Sequence, residues 1–565
     1  MVLVAIWNHA RNRYDKTMTY SFDIFDTCLV RKCGEPSNVF DLVAEKAFTK
    51  PVSTEVRRSF VAARIEAAAA TWSDTQTIAD IYRAFGFVHP NIRSKEELIE
   101  LEKSVEREIL VPVAEMKERI TSLRKAGHRI LFVSDMYLSA EFVQPVLQQS
   151  GLWEEGDAVY VSCDAGATKA SGKLYAYIKE KEQISYRDWH HYGDNEHSDV
   201  KVPKKLGIHA HRVGYTYTPY QKAMQQKASL YYQWGGMMAG LSRSIAVQSE
   251  RTAHKDFVLD IIAPLFATFV YRVMKNAQER GIDALYFCAR DAYPLYRIAL
   301  KMQGLFPRVT VEYLYISRKA LYEGDEERKL GYFKQIGLAS KTAKNAIVDI
   351  RTRGNTLLAL NELMRKNGCK DVFGYFYELC SENSGKREGM DYYAELDDLY
   401  IQQSRELRKL PSNWYMYELF FPLNTQKRTI GYALKGELYE PVLEEKDNKE
   451  YRLEGLTECV DWRDWAFDTY ADYFVQMELN QYANEMFEQY VIPQMAEFFQ
   501  YPDKHYLDGI ADFYGLDPEK GFIPYVDKSV WRLPLNVLKH RTMWKRGTIF
   551  YSLPVWLSKR LYRRK

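Results

Sequence analysis

Met18-Thr19-Tyr20-Ser21-Phe22-Asp23-Ile24-Phe25-Asp26-Thr27 is the stretch on which the fold turns. Met18 to Phe25 is an apolar run that reads as a buried strand, closed by acids and a hydroxyl. Three later segments extend the pattern. Arg129 to Val133 runs into Ser134-Asp135, and Trp189 to Tyr192 runs into Gly193-Asp194 with Asp199 close behind. Lys169 stands between them in the chain. Carboxylates, a hydroxyl and an ammonium therefore fall where strands end, and in an open α/β sheet those ends line one crevice. Two or more acids there suit a hard cation such as Mg²⁺, which takes oxygen ligands and keeps waters that a phosphate displaces. A nearby Lys and Ser neutralise and hold phosphoryl oxygens. Ser-Asp after a strand is common turn chemistry on its own, but all of these segments in this order describe phosphoryl handling.

The residues resemble the haloacid dehalogenase-like (HAD) hydrolases, whose motifs are a nucleophilic Asp, a Ser or Thr, a Lys and an acidic pair. Residue by residue, the resemblance makes Asp23 the nucleophile that forms an aspartyl-phosphate. It places the Phe25 carbonyl on the metal and gives Thr27 the support of the first loop. Ser134 donates to the phosphoryl group, Lys169 neutralises Asp23 and the phosphate, and Asp194 and Asp199 are the metal-side acids. Lys169 is preferred to Lys173 because Lys169-x-x-Gly172-x-x-Tyr175 spaces like the third motif. The implied fold is α/β: a HAD-like Rossmannoid parallel sheet with a helical cap. The implied cofactor is Mg²⁺. One position departs from the family. Its phosphatases carry a second Asp two residues after the nucleophile, as general acid and base; here that residue is Phe25, and the next acid is Asp26. Losing a general acid costs about 10²–10⁴-fold, so the resemblance implies a weak phosphatase unless Asp26 serves.

Length and composition set the outer bounds. A chain of 565 residues holds two or three domains. Seven scattered Cys without close pairs favour a reducing compartment over a disulfide framework. The apolar start Met1 to Trp7 is short for a secretory signal, and no apolar run of membrane-spanning length is read. A cytoplasmic location is expected.

Between the first two motifs, Asn38 to Phe48, Thr54 to Ala70 and Lys95 to Leu110 carry helical periodicity. This insertion, about 33–110, resembles the cap of many HAD hydrolases. The HAD-like domain is expected over 1–216 and a linker with a helix over 217–254. A second α/β domain with a helical, aromatic C-terminal part is expected over 255–530. In it, Phe257 to Asn276 reads as a long apolar helix. Strands are read at Ala284 to Cys288, Val309 to Ile316, Ala346 to Ile350 and Val372 to Tyr377. Arg290, Asp291, Arg318, Asp349, Arg351 and Arg353 cluster at strand ends, as a second ligand site for a phosphate or carboxylate or as ion pairs that neutralise one another. Glu418, Asn424 and Glu454 with Gly455 need only core and turn roles. An HAD domain followed by such a region resembles the large predicted hydrolases encoded with bacterial capsule and O-antigen glycosyltransferases.

The tail, 531–565, differs from the rest. Residues 528–565 hold 11 Lys or Arg and no Asp or Glu, more positive charge than the whole chain's net +3, so the remainder is net acidic. Trp544, Lys545, Arg546, Trp556, Lys559 and Arg560 mix aromatic and basic groups as segments lying on anionic membranes do, with Pro554 dividing two short helices. No nucleic-acid module is read. The expectation is a cytoplasmic HAD-type phosphohydrolase or phosphotransferase, peripheral at the inner face of the cell membrane. Its expected substrate is a sugar phosphate or nucleotide-sugar-like intermediate of capsule or O-antigen synthesis, and glycosyltransferases are expected partners. The alternative is a catalytically reduced HAD module that binds ligand or scaffolds a glycosyltransferase, with glycosyl transfer or binding in the second α/β domain.

Overall fold

Residues 17–214, 217–227, 233–352, 354–379, 427–444, 456–510, 514–517, 521–524, 526–528 and 544–562 are described in a computed structural model. Arg353, Glu418, Asn424, Glu454, Gly455 and the Met1 to Trp7 segment lie outside the described residues. The chain divides into two compact units, Met1–Arg251 and Thr252–Lys565.

In the first unit, β1 is Thr19–Phe22, β2 Leu29–Arg31, β3 Leu110–Pro112, β4 Arg129–Ser134, β5 Ala158–Val161, β6 Trp189–Gly193 and β7 His209–Arg212. Five of these make one parallel sheet in the order β5-β4-β1-β6-β7. The first strand is central, and the order reverses direction beside it. In a doubly wound sheet the crevice at that switch point is where ligands bind. Phe22 faces Phe132 on one side and Tyr192 on the other, so Asp23, Ser134 and Asp194 all leave the same sheet edge.

The insertion after β1 is a helical body. Helices Val39–Lys46, Thr54–Ala70, Ile78–Ala84 and Lys95–Ile109 form it. Sequence reading predicted three of them and missed Ile78–Ala84, a short helix set by a Thr77/Asp80 capping box. The body joins the sheet through a neck, where β2 pairs antiparallel with β3. Two buried ion pairs hold it. Arg31 on the neck grips Glu106 bidentately at 3.1–3.2 Å, and Arg64 grips Glu102 at 2.6–2.8 Å with neither side chain exposed. Tyr82 and Tyr137 donate to the same Glu102 carboxylate at 2.7 and 3.0 Å. Tyr137 follows β4, so this network ties the cap to the loop beside Ser134.

Residues 217–251, expected as a linker with a helix, belong to the first unit. Helix Gln233–Ala246 presses its Gly240 against the backbone of Cys33 and Gly34, so closely that a Cβ would lie 2.0 Å from the Gly34 nitrogen. Gly34 itself has φ +81°, a left-handed conformation that glycine adopts without strain.

The second unit is built on a four-stranded parallel sheet: β8 Ala284–Cys288, β9 Thr310–Leu314, β10 Asn345–Thr352 and β11 Phe373–Leu379. The order is β11-β10-β8-β9. The apolar helix read at Phe257 to Asn276 extends over Ala253–Glu279. It is long and apolar enough to cross a membrane, a length that the sequence reading did not assign, but most of it is buried inside this unit. Its Thr268 turns back on the helix carbonyl of Pro264, and Asp260 is met by Tyr506 at 2.9 Å. Trp544, read as a membrane residue, is fully buried against Phe498 and Phe499 at ring distances of 5.6 and 6.2 Å. The bare Gly547 one turn on gives its indole room.

Two outcomes follow for stability. Glu102→Ala strands a buried guanidinium, and an equilibrium unfolding curve should lose about 3–5 kcal/mol. The second concerns His190, which stacks on Tyr20 and His209 and shares a 2.9 Å hydrogen bond with His211. Burial, with His209, His211 and His128 adding to it, lowers its pKa from 6.5 to about 4. The unfolded chain thus binds a proton that the folded chain refuses, so this contribution is present above 6.5 and is lost as pH falls toward 4. Thermal melts of the parent and of His190→Gln should diverge above that window and converge within it.

Candidate active site

Four backbone hydrogen bonds fix the loop after β1 that carries Asp23. Asp23 N donates to Tyr192 O at 2.8 Å, which carries β1's pairing with β6 one residue further. Cys28 N and Leu29 N both donate to Ile24 O, and Asp26 N donates to Leu29 O at 2.7 Å. The chain turns at Asp26, whose φ is +58°.

Inside this frame Lys169 joins two of the acids. Its ammonium, buried with them, makes an ion pair with Asp23 and a second with Asp199 at 2.7 Å. The carboxylates of Asp23, Asp194 and Asp199 lie within 4.8 Å of one another. Thr27 is fully buried and donates to Asp194 at 3.5 Å. Ser134 ends β4, buried at the same edge. Lys173 is exposed at the start of the next helix, so Lys169 is the lysine that the fold delivers.

Each group has its own support. Asp135 accepts from Lys169 N at 2.7 Å and Ala170 N at 3.2 Å, which aims the Lys169 side chain inward. Asn195 caps the turn Glu196–Lys201 through His197 N and Ser198 N, and its own N–H donates to Asp199 Oδ2 at 3.0 Å. Behind Asp199 runs a buried relay. Trp189 Nε1 donates to Ser21 Oγ at 2.7 Å, Ser21 sits 2.7 Å from His191 Nδ1, and His191 Nε2 sits 3.2 Å from Asp199 Oδ1. Burial lowers the His191 pKa, so the ring is neutral. With Ser21 accepting from Trp189, its own proton goes to Nδ1, and Nε2–H donates to Asp199.

The charges follow from burial and neighbours. Burial raises Asp23 against the pull of Lys169, and Asp199 and Asp194 add to the rise, to about 8. Burial would raise Asp199 too, but Lys169 and then His191 outweigh it and hold its pKa down. Asp194 is raised to about 6 by burial, then by Asp26 and Asp199. Burial would lower Lys169, yet Asp23 and Asp199 keep it firmly protonated. Three crowded acids facing one ammonium leave excess negative charge in a desolvated place. An all-oxygen set of this kind fits a hard dication.

Asp26 and Phe25 are placed differently. The Phe25 ring lies under the Arg31 guanidinium, 4.6 Å from it. Asp26 is a quarter exposed; it accepts from Arg243 at 3.2 Å and lies 4.0 Å from Arg31. Arg243 comes from helix Gln233–Ala246 and also donates to Tyr217 at 2.8 Å. Sequence reading missed this clamp and the His191 relay. The relay had a signal, since Ser21 and His191 are register partners across β1 and β6; the clamp, joining residues 217 positions apart, had none.

No protein-family model and no curated protein matches the sequence. Among solved structures, a HAD family enzyme from Bacteroides thetaiotaomicron, in complex with magnesium and inorganic phosphate, is 11% identical. It covers 36% of this chain and 98% of its own, with a TM-score of 0.28. A HAD hydrolase of family IA from Entamoeba histolytica is 13% identical over 37% of this chain and 89% of its own, at a TM-score of 0.25. A dehalogenase with an intermediate complex is 14% identical over 36% and 88%, at 0.27. The amino-terminal unit is a doubly wound parallel α/β sheet with a helical insertion after β1 and its acids, serine and lysine gathered at strand ends.

The second group of predicted residues is brought together in part. Arg290 and Asp291 follow β8, Arg318 follows β9, and Asp349 lies in β10 beside them. Burial raises Asp291 against Arg290 and Arg318, and raises Asp349 to about 8 with Asp291 adding to it. The Arg351 backbone is in β10, but its side chain lies outside the described residues.

Gly193 offers a direct probe of the acidic cluster as a metal site. A Cβ there would sit 2.5 Å from the Asp199 Cβ and Cγ. Gly193→Ala should displace Asp199 and weaken Mg²⁺ binding about 10–100-fold in a calorimetric titration.

Proposed function

We propose that the first unit is a Mg²⁺-dependent phosphohydrolase or phosphotransferase acting on a sugar phosphate or nucleotide-sugar-like intermediate. One observation carries the reading: a buried lysine is shared between an aspartate at the tip of β1 and a second acid, with a third within 4.8 Å. Asp23, Asp194, Asp199 and the Phe25 carbonyl would hold the ion, which supplies Lewis-acid neutralisation of the phosphoryl oxygens.

This chain's own groups carry the rest. An Asp23 oxygen attacks phosphorus in line, the bond to the sugar oxygen breaks, and an aspartyl-phosphate forms. Lys169 balances the charge gathering on the phosphoryl oxygens, and Ser134 donates to one of them. A water or an acceptor hydroxyl then attacks the same phosphorus and frees Asp23. Phe25 offers no proton to the departing sugar oxygen, so that proton comes from solvent or from Asp26. Turnover is accordingly slow, by about 10²–10⁴-fold against an enzyme with a placed acid.

The setting proposed is bacterial capsule or O-antigen synthesis at the inner face of the membrane, beside glycosyltransferases. It rests on the likeness of an HAD domain with a following α/β region to hydrolases encoded with those enzymes. A second reading places ligand binding or glycosyl transfer in the second unit. Its support is the sheet order, whose reversal lies between β8 and β10, where Asp291 and Asp349 come together.

The test is phosphate release from a panel of sugar phosphates with Mg²⁺. Parent protein should turn over, chelation should stop it, and Asp23→Asn should lose about 10⁴-fold or more. Release that survives Asp23→Asn defeats the proposal.

A further inference from the structure

We propose that the exposed face of helix Val555–Tyr562 docks on an anionic lipid bilayer. The tail has two helical pieces, and they behave differently. Lys545–Ser552 is built into the second unit: Gly547, Thr548 and Phe550 are buried, and Trp544 just before it is fully enclosed. After the break at Pro554 the next helix is held by one side. Ser558 is fully buried, its hydroxyl donating toward Ile549 O and Leu553 O at 3.4–3.5 Å. Lys559 lies over the Tyr501 ring at 5.1 Å.

Opposite Ser558, Trp556 and Arg560 share one face a turn apart, and Val555 and Leu561 stand at its two rims; Val555, Trp556 and Leu561 are 55%, 66% and 54% exposed, and Arg560 is exposed. Single exposed apolar residues are ordinary, but three on one eight-residue helix are not. Charge names the occupant. Residues 528–565 carry 11 Lys or Arg and not one Asp or Glu, so the complementary surface is polyanionic. A phosphate backbone would meet the charge and leave Val555 and Leu561 in water. A bilayer interface takes both: Trp sits at headgroup depth, aliphatic groups reach the acyl boundary, and each basic residue is drawn to anionic lipid. This inference does not depend on the catalytic reading.

The experiment is sedimentation of the full-length protein with vesicles of phosphatidylcholine containing phosphatidylglycerol, and with phosphatidylcholine alone. Binding should require phosphatidylglycerol and weaken as salt rises. Arg560→Glu should lower the partition coefficient about fivefold or more, and Trp556→Ala with Leu561→Ala should remove most of it. Because these side chains are exposed, each variant should keep the parent's melting temperature and phosphate release. Pelleting that is absent in the parent, independent of lipid charge or equal in the variants overturns the proposal, as does preference for RNA over vesicles.

Discussion

A single buried ammonium organises the first unit. Lys169 is enclosed with Asp23 and Asp199, and neither acid could stay ionised there alone, because taking an isolated charge out of water costs far more than folding can supply. The placement of the lysine therefore decides the placement of everything chemical. Asp135 holds the backbone on which Lys169 sits, Asn195 holds Asp199, and the Trp189–Ser21–His191 relay steadies Asp199 from behind. Stability and function draw on the same contacts. The pairs that make the interior tolerable are the pairs on which the proposed phosphoryl chemistry draws.

The same logic governs the cap, with a different sign of outcome. Glu102 and Glu106 lie one turn apart on Lys95–Ile109 and both face inward. Each has its own arginine, Arg64 or Arg31, from another element. Such pairs add little net stability compared with apolar packing, but they penalise every wrong arrangement heavily. Arg31 also touches Phe25 and lies near Asp26, so the residues that fix the cap are in contact with the loop that carries Asp23.

Much of this was legible in the chain. Apolar runs closed by acids gave the positions of β1, β4 and β6 to within a few residues, because a buried parallel strand has to be apolar throughout. Spacing separated Lys169 from Lys173. The strands of the second sheet were equally readable at Ala284 to Cys288 and near Ala346 to Ile350. What failed was anything decided by tertiary neighbours. Trp544 and Trp556 are both followed closely by a Lys-Arg pair, yet one packs buried against Phe498 and the other faces out. The helix around Asp260 reads in sequence as a shorter apolar helix, without a run of membrane-spanning length; Ala253–Glu279 has that length and hydropathy, and most of it is buried. Residues 217–251 looked like connection, yet Trp234, Met237, Met238, Leu241 and Ile245 are buried at helical spacing and Gly240 packs on Gly34; what the local pattern could not show was which unit that apolar stripe would cover.

The neck deserves a last consequence. Chain enters the cap along Leu29–Arg31 and leaves it along Leu110–Pro112, and those two crossings are laced side by side in register. A body hung on two separate strings can swivel; one hung on a ribbon bends only across the ribbon's flat face. The two crossings are thereby kept from turning independently of each other, and the ribbon's Arg31 end lies over Phe25 and near Asp26, so the cap's root and the loop after β1 share one set of contacts.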